Sequence, residues 1–251
     1  MTIYPDDTEI WGPDVSFYQD DNATPGGIDF NVMKEQGASF VFIRAGQNTW
    51  EDPDFAINWA AAKDAGLMRG AYWFLDARTS GEKQGLKFGS LLFWDPGELP
   101  PVVDYEHKIR IVVPSRRRGQ TMSVWKYNTP SQLDAFIAAL DSPRVPIIYT
   151  GFYYWMDHGS ADARYGRYPL WIAAYGAPPR VPSPRKDWTL WIDAYGAGPR
   201  VPAPWKEWTF WQFTDNGPGR VLGAESSRID LNYFSGQNLN ELNRYDETPA
   251  T

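Results

Sequence analysis

The feature that most narrows the fold is a regular exchange, over the first two-thirds of the chain, between short apolar runs and stretches of helical spacing. Strand-like runs lie at Asp14–Gln19, Phe40–Gly46, Gly70–Asp76, Pro101–Glu106 and Val145–Gly151. Between them Ile28–Gly37, Pro53–Gly66, Thr79–Phe93 and Thr129–Leu140 read as helices. The second of these carries Phe55, Trp59 and Ala62 at helical spacing and stops at Gly66. The last opens with Thr129-Pro130-Ser131-Gln132, a capping box with proline at the first helical position. Strands that alternate with helices build βα units around a parallel sheet. In 251 residues with no glycine-rich phosphate loop, the expectation is an α/β fold, a modified (β/α)8 TIM-like barrel, rather than an open doubly wound sheet.

The C-terminal third changes character. Leu170–Thr189 (LWIAAYGAPPRVPSPRKDWT) is followed at once by Leu190–Thr209 (LWIDAYGAGPRVPAPWKEWT), a tandem repeat of period 20. Trp171 pairs with Trp191, Tyr175 with Tyr195, Val181 with Val201 and Trp188 with Trp208. Two copies are too few for a solenoid, so the reading is a duplicated strand-loop unit inside one domain. Strands follow at Thr209–Thr214 and Arg228–Phe234, then a short helix and a polar tail. The expected organisation is an N-terminal arm (1–10), one barrel domain (11–235, with the repeat at 170–209) and a helix and tail (236–251).

Composition removes several classes of chemistry. The chain has no cysteine, which excludes disulfides, thiol nucleophiles and thiolate-bound metals. Two histidines, His107 and His158, cannot build a His-rich metal site, and no G-x-S-x-G elbow supports a serine triad. A net charge of −7 argues against nucleic acid as a partner. No apolar run approaches the ~18–20 residues that span a bilayer, so membrane insertion is not expected. The first residues, MTIYPDDTEIWGPD, have neither a basic n-region nor an apolar h-region, so no signal peptide is read there. What is abundant is carboxylate and indole: 31 Asp plus Glu and 13 Trp. Tryptophan in such number serves either a core or a carbohydrate enzyme, whose sugars stack on aromatic faces.

The strongest chemical signal is Pro100-Pro101-Val102-Val103-Asp104-Tyr105-Glu106. An apolar strand ends in two carboxylates two residues apart, which places both on one face. In a parallel barrel the C-terminal ends of the strands form the active face. Two acids at one strand end repel, and partial burial adds to the penalty, so one should hold its proton while the other stays charged. That division suits glycoside hydrolysis, in which an acid protonates the leaving oxygen and a carboxylate steadies the oxocarbenium-like centre. The first strand adds Asp14, with Ser16 and Tyr18 on the same face, and the last adds Asp230. Cα atoms two apart on a strand are ~6.5–7 Å apart, between the separations of retaining and inverting pairs, so spacing leaves the stereochemistry open. A second feature is an acid-free stretch between Glu106 and Asp134 that carries Lys108, Arg110, Arg116, Arg117, Arg118 and Lys126. It reads either as a solvated loop or as a patch that meets an anionic polymer.

These strings together resemble the lysozymes of glycoside hydrolase family 25. The likeness runs through D-V-S-x-x-Q at Asp14–Gln19, Ile28-Asp29-Phe30, Phe40-Val41-Phe42-Ile43-Arg44-Ala45, Asp54-Phe55 with Asn58, and Ala65-Gly66-Leu67 before Gly70-Ala71-Tyr72. It continues through Val103–Glu106, Ile148-Tyr149-Thr150, Leu170–Ala173, Trp211-Gln212-Phe213-Thr214 and Ile229–Asn232, so that it covers roughly residues 11–235. The resemblance implies a muramidase that cleaves the β-1,4 bond between N-acetylmuramic acid and N-acetylglucosamine in bacterial peptidoglycan, with retention favoured. By position, Glu106 matches the family's general acid/base. Asp104 matches the partner carboxylate, as nucleophile or as the group that orients the substrate's acetamido for internal attack. Asp14 and Asp230 match the two further site acids, and the resemblance implies no metal and no organic cofactor. Candidate sugar contacts are Tyr72, Trp73, Tyr105, Tyr149, Trp171 and Trp211, joined by Arg44 and Gln212.

Two departures stand out. Many relatives carry His after the Tyr of the third strand, where this chain has Trp73, which would exchange a hydrogen bond for stacking. The duplication adds a second Leu-Trp-Ile unit, which makes Trp188–Ala203 an inserted hairpin near the cleft rim, with Asp193 as an extra rim or loop acid. The enzyme is expected to act as a monomer on the cell wall. It would wait in a host cytoplasm before phage-type release, or be secreted if a leader has been trimmed. The competing class is a glycan-binding barrel without turnover. A peptidoglycan amidase or peptidase would need zinc ligands or a Cys/His pair that the chain lacks.

Overall fold

The computed structural model describes residues 10–20, 27–115, 119–175 and 198–245. Its strands are β1 (Trp11–Val15), β2 (Phe40–Gln47), the short β3 (Trp50–Glu51), β4 (Met68–Phe74), β5 (Val102–Asp104), β6 (Lys108–Pro114), β7 (Thr121–Tyr127), β8 (Ile147–Gly151), β9 (Leu170–Ala173), β10 (Phe210–Pro218) and β11 (Arg228–Phe234). Eight of them close a barrel in the order β1-β2-β4-β5-β8-β9-β10-β11 and back to β1. Neighbours are parallel except at β11, which runs antiparallel to both β10 and β1. The barrel is therefore the modified α/β barrel that the alternation implies.

Helices α1 (Phe30–Glu35), α2 (Phe55–Asp64), α3 (Gly81–Leu92), α4 (Pro130–Leu140) and α5 (Phe152–His158) follow β1, β2, β4, the β6–β7 pair and β8 in turn. Asp29 caps α1 by accepting from the N–H groups of Asn31 and Val32. Gly66, at φ +73°, ends α2 where a left-handed residue is needed. At α4 only half of the expected capping box forms. Thr129 accepts from the Gln132 N–H, while the Gln132 amide turns away to donate to the carbonyls of Asp76 and Thr79. That choice ties the loop after β4 to the start of α4.

Period-two alternation sorts each strand between two cores. Phe40, Phe42, Val102, Ile147, Trp171 and Phe210 fill the barrel, with Phe42 stacked on Trp171 at 4.4 Å. Their neighbours Val41, Ile43, Val103, Ile148, Ile172 and Trp211 point outward and pack with Phe88, Phe136 and Trp155 of the helical layer. Leu239 and Leu242, from a 3-10 turn at Leu239–Tyr245, join the interior cluster beside Phe234 at the floor.

Several expected elements differ. The run Asp14–Gln19 is not one strand: β1 stops at Val15, and Ser16 caps a 3-10 turn over Phe17–Gln19. Ser16 Oγ accepts from the Tyr18 N–H, and Gln19 Oε1 accepts from the Ser16 N–H. These local bonds outcompete the ladder, and Tyr18 is left 67% exposed at the rim. The acid-free stretch is not a plain loop but an antiparallel ribbon, β6 with β7, separate from the barrel sheet. Arg116, Arg117 and Arg118 lie outside the described residues. Of the repeat, the start of the first copy forms β9 and the end of the second leads into β10, with the Thr209 N–H donating to the Leu170 carbonyl. Trp205, whose equivalent in the first copy is Arg185, donates to the Tyr168 carbonyl and packs against Trp155. That seat is taken by the second copy. Asp193 and the expected hairpin as far as residue 197 lie outside the described residues, as do residues 1–9 and 246–251 of the arm and tail. No helix of the described residues is long and apolar enough to cross a membrane.

Candidate active site

Each acid reaches the barrel mouth by register. On β5, Asp104 pairs with Phe74 of β4 and Tyr149 of β8. Pairing persists one residue past the strand, since the Tyr105 N–H donates to the Tyr149 carbonyl at 2.8 Å. The Tyr105 carbonyl in turn accepts from Thr150 Oγ1 at 2.8 Å. Glu106 is thus held although β5 has ended. Asp14 and Asp230 are direct partners across the antiparallel β1–β11 pair, which puts them side by side on one face. All four acids line one cavity of ≈ 170 Å³, shared with Ser16, Tyr18, Gln19, Arg44, Tyr72, Phe74, Tyr149, Trp171 and Gln212.

A buried network orients the first acid. Asp14 Oδ2 accepts from Gln212 Nε2 at 2.8 Å and from Asn232 Nδ2 at 2.9 Å. Tyr149 and Tyr175 donate their hydroxyls to Gln212 Oε1, and Trp171 Nε1 donates to Asn232 Oδ1. Because each amide oxygen is engaged by a donor, each amide nitrogen must face Asp14. Arg44 supplies the nearby positive charge. Its Nε donates to Asp52 Oδ2 at 2.8 Å, and its guanidinium lies 4.5 Å from the Phe17 ring centroid and 5.2 Å from that of Tyr18. Asp104 Oδ1 is buried with no hydrogen-bond partner among the described residues. It is an acceptor without a donor, a costly state unless a ligand completes it.

Crowding four acids here moves their protons. Burial, then repulsion from Glu106 and Asp14, pushes Asp104 well above the carboxylate range, with Arg44 opposing. Burial, then Asp14, raises Glu106 to about 7. Burial raises Asp14 to about 6 against the pull of Asn232 and Gln212. Asp230 reaches about 8 through burial and the charges of Asp14, Asp215 and Glu106. The cluster titrates as a unit and keeps protons at neutral pH.

This arrangement has a stability signature. An Asp whose folded pKa lies near 8 rather than the ordinary ~3.9 binds its proton more tightly folded than unfolded. Its contribution is complete below about pH 4 and is lost as pH rises towards 8. Asp230→Asn removes that loss, so its thermal midpoint should exceed the parent's by more at pH 8 than at pH 4.5 in calorimetry. An equal difference at the two pH values would contradict the assigned burial.

Of the residues expected to meet sugar, Tyr72, Tyr149, Trp171, Arg44 and Gln212 line the cavity. Three do not, because they occupy the other parity of their strands. Trp73 is fully buried against Phe88 and donates its Nε1 to Gln84 Oε1, so the Trp in place of His is a packing residue rather than a stacking one. Tyr105 is buried between Tyr154 and Trp155 and donates to the His158 carbonyl. Trp211 packs outward and donates to the Ala174 carbonyl. Ser16 and Tyr18, read from the sequence as sharing a face with Asp14, do line the cavity, whereas sequence reasoning passed over Gln19, Phe74, Tyr175 and Asn232 as site residues. The signal for Asn232 was its parity with Asp230, two residues away on β11.

The model of glycosyl hydrolases family 25 matches residues 13–189. The chain belongs to this family. Among family relatives, Lysozyme M1 of Streptomyces globisporus is 32% identical over 196 residues, which cover 75% of this chain and 63% of that protein. The uncharacterised protein YegX of Escherichia coli K12 is 27% identical over 172 residues, 66% of this chain and 56% of YegX. The chain thus spans less than two-thirds of the length of these curated relatives. A bacterial lysozyme from Streptomyces coelicolor of known structure is 26% identical, with a TM-score of 0.68 over 96% of this chain and 99% of that one.

Proposed function

We propose that this family 25 barrel is an N-acetylmuramidase, a lysozyme that hydrolyses the β-1,4 bond between N-acetylmuramic acid and N-acetylglucosamine in bacterial peptidoglycan. The observation that carries the reading is the convergence of Asp14, Asp104, Glu106 and Asp230 on one cavity at the barrel mouth. Glu106, raised to about 7, has the proton that a departing glycosidic oxygen requires and later accepts one from water. Asp104 offers its unpartnered Oδ1 to the acetamido N–H of the substrate, which turns the acetamido oxygen towards the anomeric carbon. The bond then breaks with a cyclic intermediate and net retention. Asp14 and Asp230 hold charge and protons around the pair, while Tyr72, Tyr149, Trp171, Arg44 and Gln212 form the walls. In this reading the enzyme acts as a single barrel, residues 11–235, at the bacterial cell wall.

Digestion of purified cell walls should release new reducing ends, and mass spectrometry should find muropeptides ending in N-acetylmuramic acid. New free amines without reducing ends would overturn the reading in favour of peptide or amide cleavage. Since the general acid must be protonated, kcat/KM should fall as pH rises through about 7. A rate that climbs steadily to pH 9 would remove Glu106 from that role.

A further inference from the structure

The β6–β7 ribbon lies outside the barrel sheet and begins two residues after Glu106. Its root is fixed. The His107 N–H donates to Asn128 Oδ1 at 2.7 Å, Asn128 Nδ2 donates to the Leu75 carbonyl, and the Tyr127 ring stacks on His158 at 3.8 Å. Beyond the root one face is exposed. The ladder sets Arg110 opposite Trp125 and Lys108 opposite Tyr127, so these side chains share a face. Trp125 is 56% exposed, and neither Lys108 nor Arg110 makes a side-chain hydrogen bond or ion pair to a described residue. In a chain of net charge −7, the stretch from Glu106 to Asp134 has six cations and no acid between its ends. Two-stranded ribbons are marginal by themselves, and an exposed indole beside uncompensated cations gives no folding benefit.

We propose that this face binds the carboxylate-bearing peptide stems of the glycan strand that enters the cleft. The inference rests on the muramidase reading and names what that site holds beyond the sugars. Continuity supports it: Lys108 and Arg110 are two and four residues from Glu106, at most ~7 and ~14 Å of extended chain. Charge supports it as well. The stems end in carboxylates, for which a Lys and an Arg beside an indole plane are the complementary surface. A nucleic acid would meet the repulsion of the acidic remainder of the chain.

The test uses the full chain in the Glu106→Gln background, so that binding is read without turnover, by co-sedimentation at low salt. The added pair Lys108→Gln and Arg110→Gln should weaken binding to stem-bearing walls about three- to tenfold, the range of two exposed ion pairs. On glycan strands freed of stems by an amidase the loss should fall below about twofold. Lys126→Gln, on the other face opposite Ile109, should change little on either substrate. High salt should erase the difference. Equal losses on both substrates, or none on stem-bearing walls, would overturn the proposal. So would a loss that disappears when phosphodiester polymers are extracted from the walls, which would assign the face to those polymers. If the parent enzyme releases no reducing ends from stem-free strands, the muramidase reading fails by itself, since the ribbon is read from binding alone.

Discussion

Replacing Glu106 with Gln should lower the release of reducing ends by about 10²–10⁴-fold, the usual contribution of a positioned general acid, while wall binding persists. Gln keeps the shape and the hydrogen-bonding edge but has no proton to give. The effect should sit in kcat, because the lost interaction belongs to the transition state rather than to substrate binding. Fold integrity is not at stake in this variant. Glu106 is raised to about 7 by burial and by Asp14, so its ionised form is a cost to the folded state that the amide does not carry. Thermal midpoints at pH 8 should therefore match or exceed the parent's. A variant that still cleaves at a tenth of the parental rate would show that another group delivers the proton, and Asp230, raised to about 8, would be the first to examine.

Gly85→Ala should destabilise the barrel by roughly 2–3 kcal/mol, although Ala is ordinarily the better helix former by about 1 kcal/mol. Gly81, Gly85 and Gly89 recur every fourth residue on α3, and that stripe faces α4. A Cβ at Gly85 would lie 2.3 Å from the Phe136 carbonyl oxygen and 3.1 Å from Ala139 Cβ. The obstacle is backbone of a neighbouring helix, which cannot rotate aside, so the overlap outweighs the propensity gain. For a chain of this size the loss corresponds to a fall in midpoint of roughly 5–10 °C. Because the helix pair lies outside the barrel wall, specific activity well below the transition should be retained. A midpoint within one degree of the parent's would mean that α3 and α4 can separate at little cost.

How far such features could be read from the amino acids depends on which signal dominates a segment. Phe40–Gly46 and Val145–Gly151 are largely apolar runs that end in glycine, and they appear as β2 and β8 nearly as expected. The ribbon's first strand opens with Lys-Ile-Arg-Ile, a period-two pattern, but its second, with Ser-Val-Trp-Lys, breaks the alternation, so the pairing is legible in only one of the two strands. Helix α5, Phe-Tyr-Tyr-Trp-Met-Asp-His, is aromatic on all sides and only 7 residues long, so it has no apolar stripe to detect. Within the site, parity made Asp104 and Glu106 legible as a pair. The same rule, applied one residue over, would have excluded Trp73, Tyr105 and Trp211 from the cleft. Ser16–Gln19 escaped for a different reason: its geometry comes from side chains bonding to their own backbone, which alternation does not reveal. The partners that hold Asp14, Gln212 and Asn232, are supplied by strands ~200 residues away, and only barrel closure brings them together.

That closure has an engineering consequence. The first and last staves lie side by side in opposite directions, and the Phe234 N–H donates to the Ile10 carbonyl at 2.9 Å. Both extremities of the cylinder therefore emerge together on its underside, away from the mouth. Cargo grafted to either one would hang below and leave the saccharide entrance clear. A short linker joining the two would let the polypeptide be reopened elsewhere, as a circular permutant, without unthreading a single stave.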